Sequence, residues 1–219
     1  MTSLRTLKTV SLGFMIALGL IAQAKTSHAQ ELETITVAGG CFWCVEADFE
    51  KVEGVVEAVS GFSGGSVPNP TYKQVVNGRT GHYEAVQITF DPAKVTAAAL
   101  YDLFFRSIDP TDAGGQFCDR GDTYRTAIFA TPDQKSAARA AKSAAQAALG
   151  QTVVTPVLDS APFYPADGYH QDYYKQSTII LTRFGPKSKA KAYKAYRDAC
   201  GRDDRVKELW GSAAPFVSG

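Results

Sequence analysis

Between Thr34 and Val37 polar and apolar residues alternate with the period of a half-buried strand, and Gly39-Gly40 interrupts the run. Past that break Val45, Phe49 and Val52 recur at i, i+4 and i+7 while Glu46, Glu50 and Glu53 stay polar, which predicts a helix closed by Gly54. Val55 to Ser60 is the next strand, Gly61 to Pro70 a loop rich in Gly, Ser and Pro, and His82 to Asp91 a strand with a clear period of two. Helical spacing returns from Thr96 to Ile108 at Leu100, Leu103, Phe104 and Ile108, and Pro110 stops it. Thr126 to Ala130 reads as a strand. After it a capping box of Thr131 with Gln134, and Pro132 at the first helical position, open an alanine-rich helix that ends at Gly150.

From Thr34 to Ala130 the order strand, helix, strand, strand, helix, strand is that of a split βαβ, ferredoxin-like core. The predicted class is α+β, a two-layer sandwich with helices packed on one face of a mixed sheet. Beyond Gln151 come a strand candidate from Thr152 to Leu158, an aromatic stretch with Phe163, Tyr164, Tyr169, Tyr173 and Tyr174, and a basic helix from Lys187 to about Cys200. No internal repeat or low-complexity linker divides these segments. Residues 30–219 therefore read as one domain, with a core over about 34–160 and an extension over 161–219 that wraps it.

The chain has 219 residues, 45% of them hydrophobic and 21% charged, enough to bury a core. A net charge of +1 removes the electrostatic argument for a nucleic-acid partner. That balance is unevenly distributed, because Met1 to Ala29 holds Arg5, Lys8 and Lys25 and no acid. Basic residues, an apolar run from Val10 to Ala22, and Ser27-His28-Ala29 before Gln30 have the form of a cleavable secretory signal over residues 1–29. A membrane-spanning helix needs ~20 apolar residues, more than this run supplies. The expectation is an exported, periplasmic monomer, mildly acidic and without stable membrane association once the leader is gone.

All four cysteines, Cys41, Cys44, Cys118 and Cys200, lie beyond the leader. In an exported chain the first reading of an even number is structural disulfides, although a chain of this size does not depend on them. Gly39-Gly40-Cys41-Phe42-Trp43-Cys44 places a thiol where a strand hands over to a helix, and the unpaired amides and positive dipole end there favour a thiolate below the free value of ~8.5. Cys41 is thus a nucleophile candidate. A zinc site would draw on a second close-spaced pair, which Cys118 and Cys200 do not form, so no metal is expected. A thioredoxin-like oxidoreductase also opens a helix with Cys-x-x-Cys and stays open as a reading.

The second feature is Gly81-His82-Tyr83-Glu84-Ala85-Val86. With a period of two, Glu84 shares its face with Val86, Ile88 and Phe90. A carboxyl group at the end of a packed face loses hydration, keeps its proton near neutral pH and can donate it, whereas one at a frayed strand end is solvated, and both readings of Glu84 stay open. His82 lies on the same face and equally suits a structural role. Tyr72, Tyr124, Phe42 and Trp43, each taken alone, suit ordinary packing.

Five motifs occur in a familiar order: Gly40-Cys41-Phe42-Trp43, the Gly61 to Tyr72 stretch, Gly81-His82-x-Glu84-Ala85-Val86, Asp109-Pro110-Thr111, and Asp119-Arg120-Gly121-x-x-Tyr124-Arg125. Together, from about Ile35 to Leu158 and onward to Pro162-Phe163-Tyr164 and His170-Gln171, they resemble peptide methionine sulfoxide reductase A. The resemblance implies reduction of the S epimer of methionine sulfoxide, free or in oxidised proteins, with a thioredoxin-type reductant and no bound cofactor. It implies Cys41 as nucleophile, Phe42 and Trp43 around the substrate methyl group, Glu84, Tyr72 and Tyr124 at the sulfoxide oxygen, and Asp119 as a further active-site acid. A sulfoxide oxygen leaves poorly, so attack on sulfur requires proton delivery to oxygen, and the resulting sulfenic acid condenses with a second thiol. Cys200, Cys44 and Cys118 are the candidates for that resolving thiol, with Cys200 and Cys44 favoured. Cys118 and Cys200 could instead form a structural bridge. The sequence departs from the usual family pattern at Cys44, at Cys118 and in Asp198-Ala199-Cys200-Gly201-Arg202. The rival readings are an exported thiol-disulfide oxidoreductase using the Cys41/Cys44 pair and an exported binding domain stapled by two bridges.

Overall fold

A computed structural model of the chain describes residues 31–217. The leader reading of residues 1–29 lies outside them. Six strands form one mixed sheet: β1 (Glu33–Gly39), β2 (Val55–Ser63), β3 (Tyr83–Phe90), β6 (Thr126–Ala130), β7 (Val157–Asp159) and β8 (Phe163–Pro165), in the order β7-β6-β1-β3-β2-β8. The central four, β6-β1-β3-β2, are antiparallel throughout and carry the ferredoxin-like arrangement. At the margins β7 joins β6 in parallel and β8 joins β2 antiparallel.

Helices α1 (Phe42–Phe49), α3 (Ala97–Arg106) and α4 (Lys135–Leu149) bury their apolar sides on one face of the sheet. Ile35 and Val37 of β1, Val86, Ile88 and Phe90 of β3, and Ile128 of β6 supply that face, while Phe42, Val45, Phe49, Leu100 and Phe104 come down from the helices. The opposite face carries only a small cluster around Ala38, Ala85, Ala127 and Phe129. Period-two alternation is thus realised, and Glu84 sits on the helix-covered side. Among the described residues no helix is long and apolar enough to cross a membrane.

Local departures from the sequence reading have identifiable causes. Strand β2 runs past Ser60 to Ser63, taking in part of the expected loop, because Phe62 and Ser63 still pair with Glu84 and Tyr83. A side chain on Gly61 would meet the Phe163 ring and the Tyr164 carbonyl at 2.5 Å, so glycine here permits β8 to approach. Thr71 and Gln74 form a full capping box that opens a short helix, α2 (Tyr72–Val76). Helix α1 stops at Phe49, short of Val52, in a turn that reaches Gly54 at φ +95°. Helix α4 begins at Lys135 rather than Pro132, since Thr131 to Gln134 close a turn and Gln134 Nε2 donates to the Thr34 carbonyl at 2.7 Å. Its end at the left-handed Gly150 is as expected. Of the Thr152 to Leu158 segment only Val157 and Leu158 pair as strand, in β7, and the Val154 amide instead donates to the Pro110 carbonyl.

Beyond β8 a turn over residues 167–175 leads into a hairpin, β9 (Ile179–Thr182) and β10 (Gly185–Ser188). The basic helix α5 (Lys189–Ala199) is capped by the Ser188 hydroxyl, and α6 (Arg202–Trp210) follows. The short pair β4 (Gly115–Gln116) and β5 (Asp119–Arg120) holds the loop around Cys118.

Candidate active site

Cys41 is the cap residue between β1 and α1. Gly40 takes φ +82°, and a side chain there would lie 2.5 Å from that of Gln116, so the backbone turns from strand to helix only through glycine. Cys44, one helical turn on, is buried, and its backbone N–H donates to the Cys41 carbonyl at 3.1 Å. Glu84 is brought alongside by β3, the neighbour of β1, and its Oε2 accepts the Phe42 amide at 3.0 Å. Glu84, Asp119 and Cys41 act electrostatically on both Tyr72 and Tyr124. The structure thus brings Cys41, Glu84, Tyr72, Tyr124 and Asp119 into one site.

Burial sets its protonation. Glu84 is 2% exposed, and burial pushes its carboxyl up to about 8, opposed by the Phe42 amide and reinforced by Asp119 and Cys44. Tyr72 and Tyr124 are both raised by burial, so each retains its O–H as a donor. Burial raises Asp119 too, against the pull of Arg202. The helix terminus was expected to lower Cys41, but its thiol is raised by the adjoining Cys44 thiol, by burial, and by the Glu84 and Asp119 carboxyls. Cys44 is lowered by the Cys41 thiol and by Arg202 and Arg197.

Aromatic rings wall the site. Phe42 lies 6.1 Å from Tyr72 and 5.4 Å from His170, His170 stacks on Tyr72 at 4.1 Å, and Tyr173 stacks on Trp43 at 3.8 Å. His170 and Tyr173 were not among the sequence-derived site residues, although the aromatic stretch that holds them was visible. Their turn is fastened by Gln171, whose amide clasps the Ser60 backbone at 3.0 and 2.8 Å, and by Glu46, which accepts the Asp172 amide at 2.6 Å. His82 is structural: its ring bonds the Gly65 amide at 3.1 Å and the Val67 carbonyl at 2.7 Å, shaping the loop that leads to Tyr72.

A cavity of about 480 Å³ adjoins Cys41 and is lined by all four cysteines. Cys118 and Cys200 are joined in a disulfide, with Cα atoms 4.9 Å apart, and Cys41 and Cys44 are free. Cys200 therefore sits between α5 and α6, held to the Cys118 loop. Potential metal-binding groupings are otherwise engaged: in one, Cys118 and Cys200 are bonded to each other beside Asp119, and in the other, Glu46 and Glu50 accept from Ser60 and Tyr174.

A thiol pair beside a proton-bearing carboxyl and two phenols, within aromatic walls, defines a cysteine-dependent redox site. The family model for peptide methionine sulfoxide reductase matches residues 33–202. The chain is 44% identical over 200 residues to a Caulobacter vibrioides protein named peptide methionine sulfoxide reductase MsrA 2, covering 90% of this chain and 96% of that one. It is 43% identical to the Bacillus subtilis MsrA over 84% of this chain and 99% of that one. Among solved structures, methionine sulfoxide reductase A of Corynebacterium diphtheriae has a TM-score of 0.60 at 34% identity, covering 67% of this chain and 75% of its own. The reduced form of Mxr1 from Saccharomyces cerevisiae also has a TM-score of 0.60, at 33% identity, covering 66% and 85%. The chain belongs to the peptide methionine sulfoxide reductase family.

Proposed function

We propose that the protein reduces the S epimer of methionine sulfoxide, free or in oxidised proteins, and that the Cys41 thiol is the group that takes the oxygen. The observation that carries this reading is the placement of Glu84, buried and proton-bearing, on the amide that follows Cys41. Phe42 and Trp43 receive the substrate methyl group, with sulfur–aromatic contacts worth ~0.3–1.5 kcal/mol. As the Cys41 thiolate attacks the sulfoxide sulfur, Glu84 delivers a proton to the departing oxygen. Tyr72 and Tyr124 donate hydrogen bonds to that oxygen, and Asp119 is a further acid at the rim. Methionine leaves and Cys41 is left as a sulfenic acid.

Cys44 is the resolving thiol best placed to follow, because it lies one helical turn from Cys41 and is free, while Cys118 and Cys200 are bonded to each other. A Cys41–Cys44 bond forms, the S–O bond breaks, and the Cys44 proton leaves with the hydroxyl as water. A thioredoxin-type dithiol then reduces this disulfide. Export of the chain to the periplasm as a monomer, directed by residues 1–29, completes the reading.

Cys41→Ser tests it. With dithiothreitol as donor, the variant is expected to lose stereospecific consumption of methionine sulfoxide, and retained turnover would refute the reading. The rival thiol-disulfide oxidoreductase would reduce insulin disulfides without needing Glu84 or Trp43.

A further inference from the structure

Hairpin β9–β10 forms part of the wall of the catalytic cavity. Ile180, Leu181 and Arg183 line the space of about 480 Å³ that Cys41 and Trp43 also line. The hairpin turn is fixed to α5: Arg183 lies 4.8 Å over Phe184 and 5.2 Å over Tyr196, and Phe184 meets Tyr196 edge-on at 5.4 Å. Among the described residues β9 pairs with β10 alone. The Lys189 N–H donates to the Thr178 carbonyl at 2.9 Å, which sets the phase of the ladder. Bonded and non-bonded positions alternate in antiparallel pairing, so Ile180 and Thr182 bond to β10, and the N–H and C=O groups of Ile179 and Leu181 point to the free edge. Pro186, opposite Leu181, fits that phase because it has no N–H to give.

The two edges of the hairpin differ. Pro186 blunts the outer edge of β10, a common protection against strand addition. The edge of β9 is open and apolar, with Ile179 68% and Leu181 84% exposed. An open edge takes an extended chain, binding its main chain whatever the sequence and reading alternate side chains. This edge borders the cavity of Cys41, whose volume is that of a site for a drug-sized ligand, more than one methionine sulfoxide side chain fills. We propose that β9 is the docking edge for oxidised polypeptides: an unfolded, extended stretch adds to it as a third strand, rests apolar residues on Ile179 and Leu181, and carries its methionine sulfoxide side chain to Cys41. This rests on the reductase reading above and narrows it, because free methionine sulfoxide has no chain to lay along the edge.

The test is steady-state reduction by the full chain with dithiothreitol as donor, comparing N-acetyl methionine S-sulfoxide with a short unstructured peptide that carries the same sulfoxide between valines. The peptide should have a KM about tenfold or more below that of the amino acid. Ile179 is exposed and does not line the cavity. Ile179→Thr, which keeps a β-branched residue in the strand, should raise the peptide KM about fivefold and leave kcat and the amino-acid KM unchanged. Peptides N-methylated on alternate backbone amides complete the test: one register should lose the advantage and the other keep it. Equal KM values for the two substrates, an Ile179→Thr effect shared by both or absent from both, or equal effects of the two N-methyl registers overturns the proposal. So does an effect seen only when thioredoxin replaces dithiothreitol, which assigns the edge to the reductant, or a dimer in sedimentation that Ile179→Thr dissociates, which assigns it to a second copy. A wild type that consumes neither substrate would refute the reductase reading itself, a result distinct from all of these.

Discussion

Glu84 Oε2 accepts the backbone N–H of Phe42 at 3.0 Å, and Phe42 is the first residue of the helix that Cys41 caps. The acid and the thiol are thereby fixed to each other through a strand and a helix rather than through mobile side chains. That bond favours the carboxylate, yet burial outweighs it and the proton stays on up to about pH 8.

Glu84→Gln preserves shape and hydrogen bonding but holds no transferable proton. Its single-turnover rate of sulfenic acid formation is expected to fall by on the order of 10²-fold or more. In the wild type the donor is present below about 8 and is lost as pH rises through that value, so the rate should decline on the alkaline side. Stopped-flow measurement across pH checks both, since the variant should lack this alkaline decline.

Trp43 stacks on Tyr173 at 3.8 Å and lines the cavity beside Cys41. Trp43→Ala should raise KM for methionine sulfoxide by up to about tenfold, the equivalent of one sulfur–aromatic contact, with a smaller change in kcat. Steady-state kinetics with a free and a peptide substrate would separate the two effects.

Burial raises Glu46 to about 7, even though Ser60 and the Asp172 amide both bond it. Its folded value exceeds that of the unfolded chain, ~4.3. The stability it contributes is therefore complete below ~4.3 and is lost as pH rises through about 7. Urea midpoints compared at pH 5 and pH 8 should fall with pH in the wild type, and Glu46→Gln should flatten the slope.

The Cys118–Cys200 disulfide closes a separation of 82 residues. Replacing both cysteines by serine should lower stability by about 2–4 kcal/mol in urea unfolding. Protein with this bridge closed, treated with one equivalent of methionine sulfoxide, should show a new Cys41–Cys44 bond on peptide mapping.

The split βαβ core was legible because strands one residue out of phase change faces, and the glycines at 39 and 40 marked where β1 gives way to Cys41. Glu84 was legible for the same reason: Val86, Ile88 and Phe90 fix its face. Tyr72, Tyr124 and Asp119 came from the family resemblance, because nothing local distinguishes them from packing residues. His170 and Tyr173 reach Phe42 and Trp43 across more than a hundred residues, and no periodicity reports such a contact. Arg197 and Arg202 line the same cavity as Cys41 and Cys44, and their helices pack beside the site only in the folded chain. Hairpin β9–β10 left a signal that went unread, an apolar run from Ile179 to Leu181 followed by Gly185 at φ +84°.

The central claim is that the substrate oxygen is transferred to the Cys41 sulfur. Its most direct measurement is trapping with dimedone in the Cys44→Ser variant during a single turnover with methionine sulfoxide, followed by peptide mass spectrometry. The account expects one adduct on the Cys41 peptide in proportion to methionine released, and methionine formed with no adduct there, or with the adduct on another residue, would contradict it.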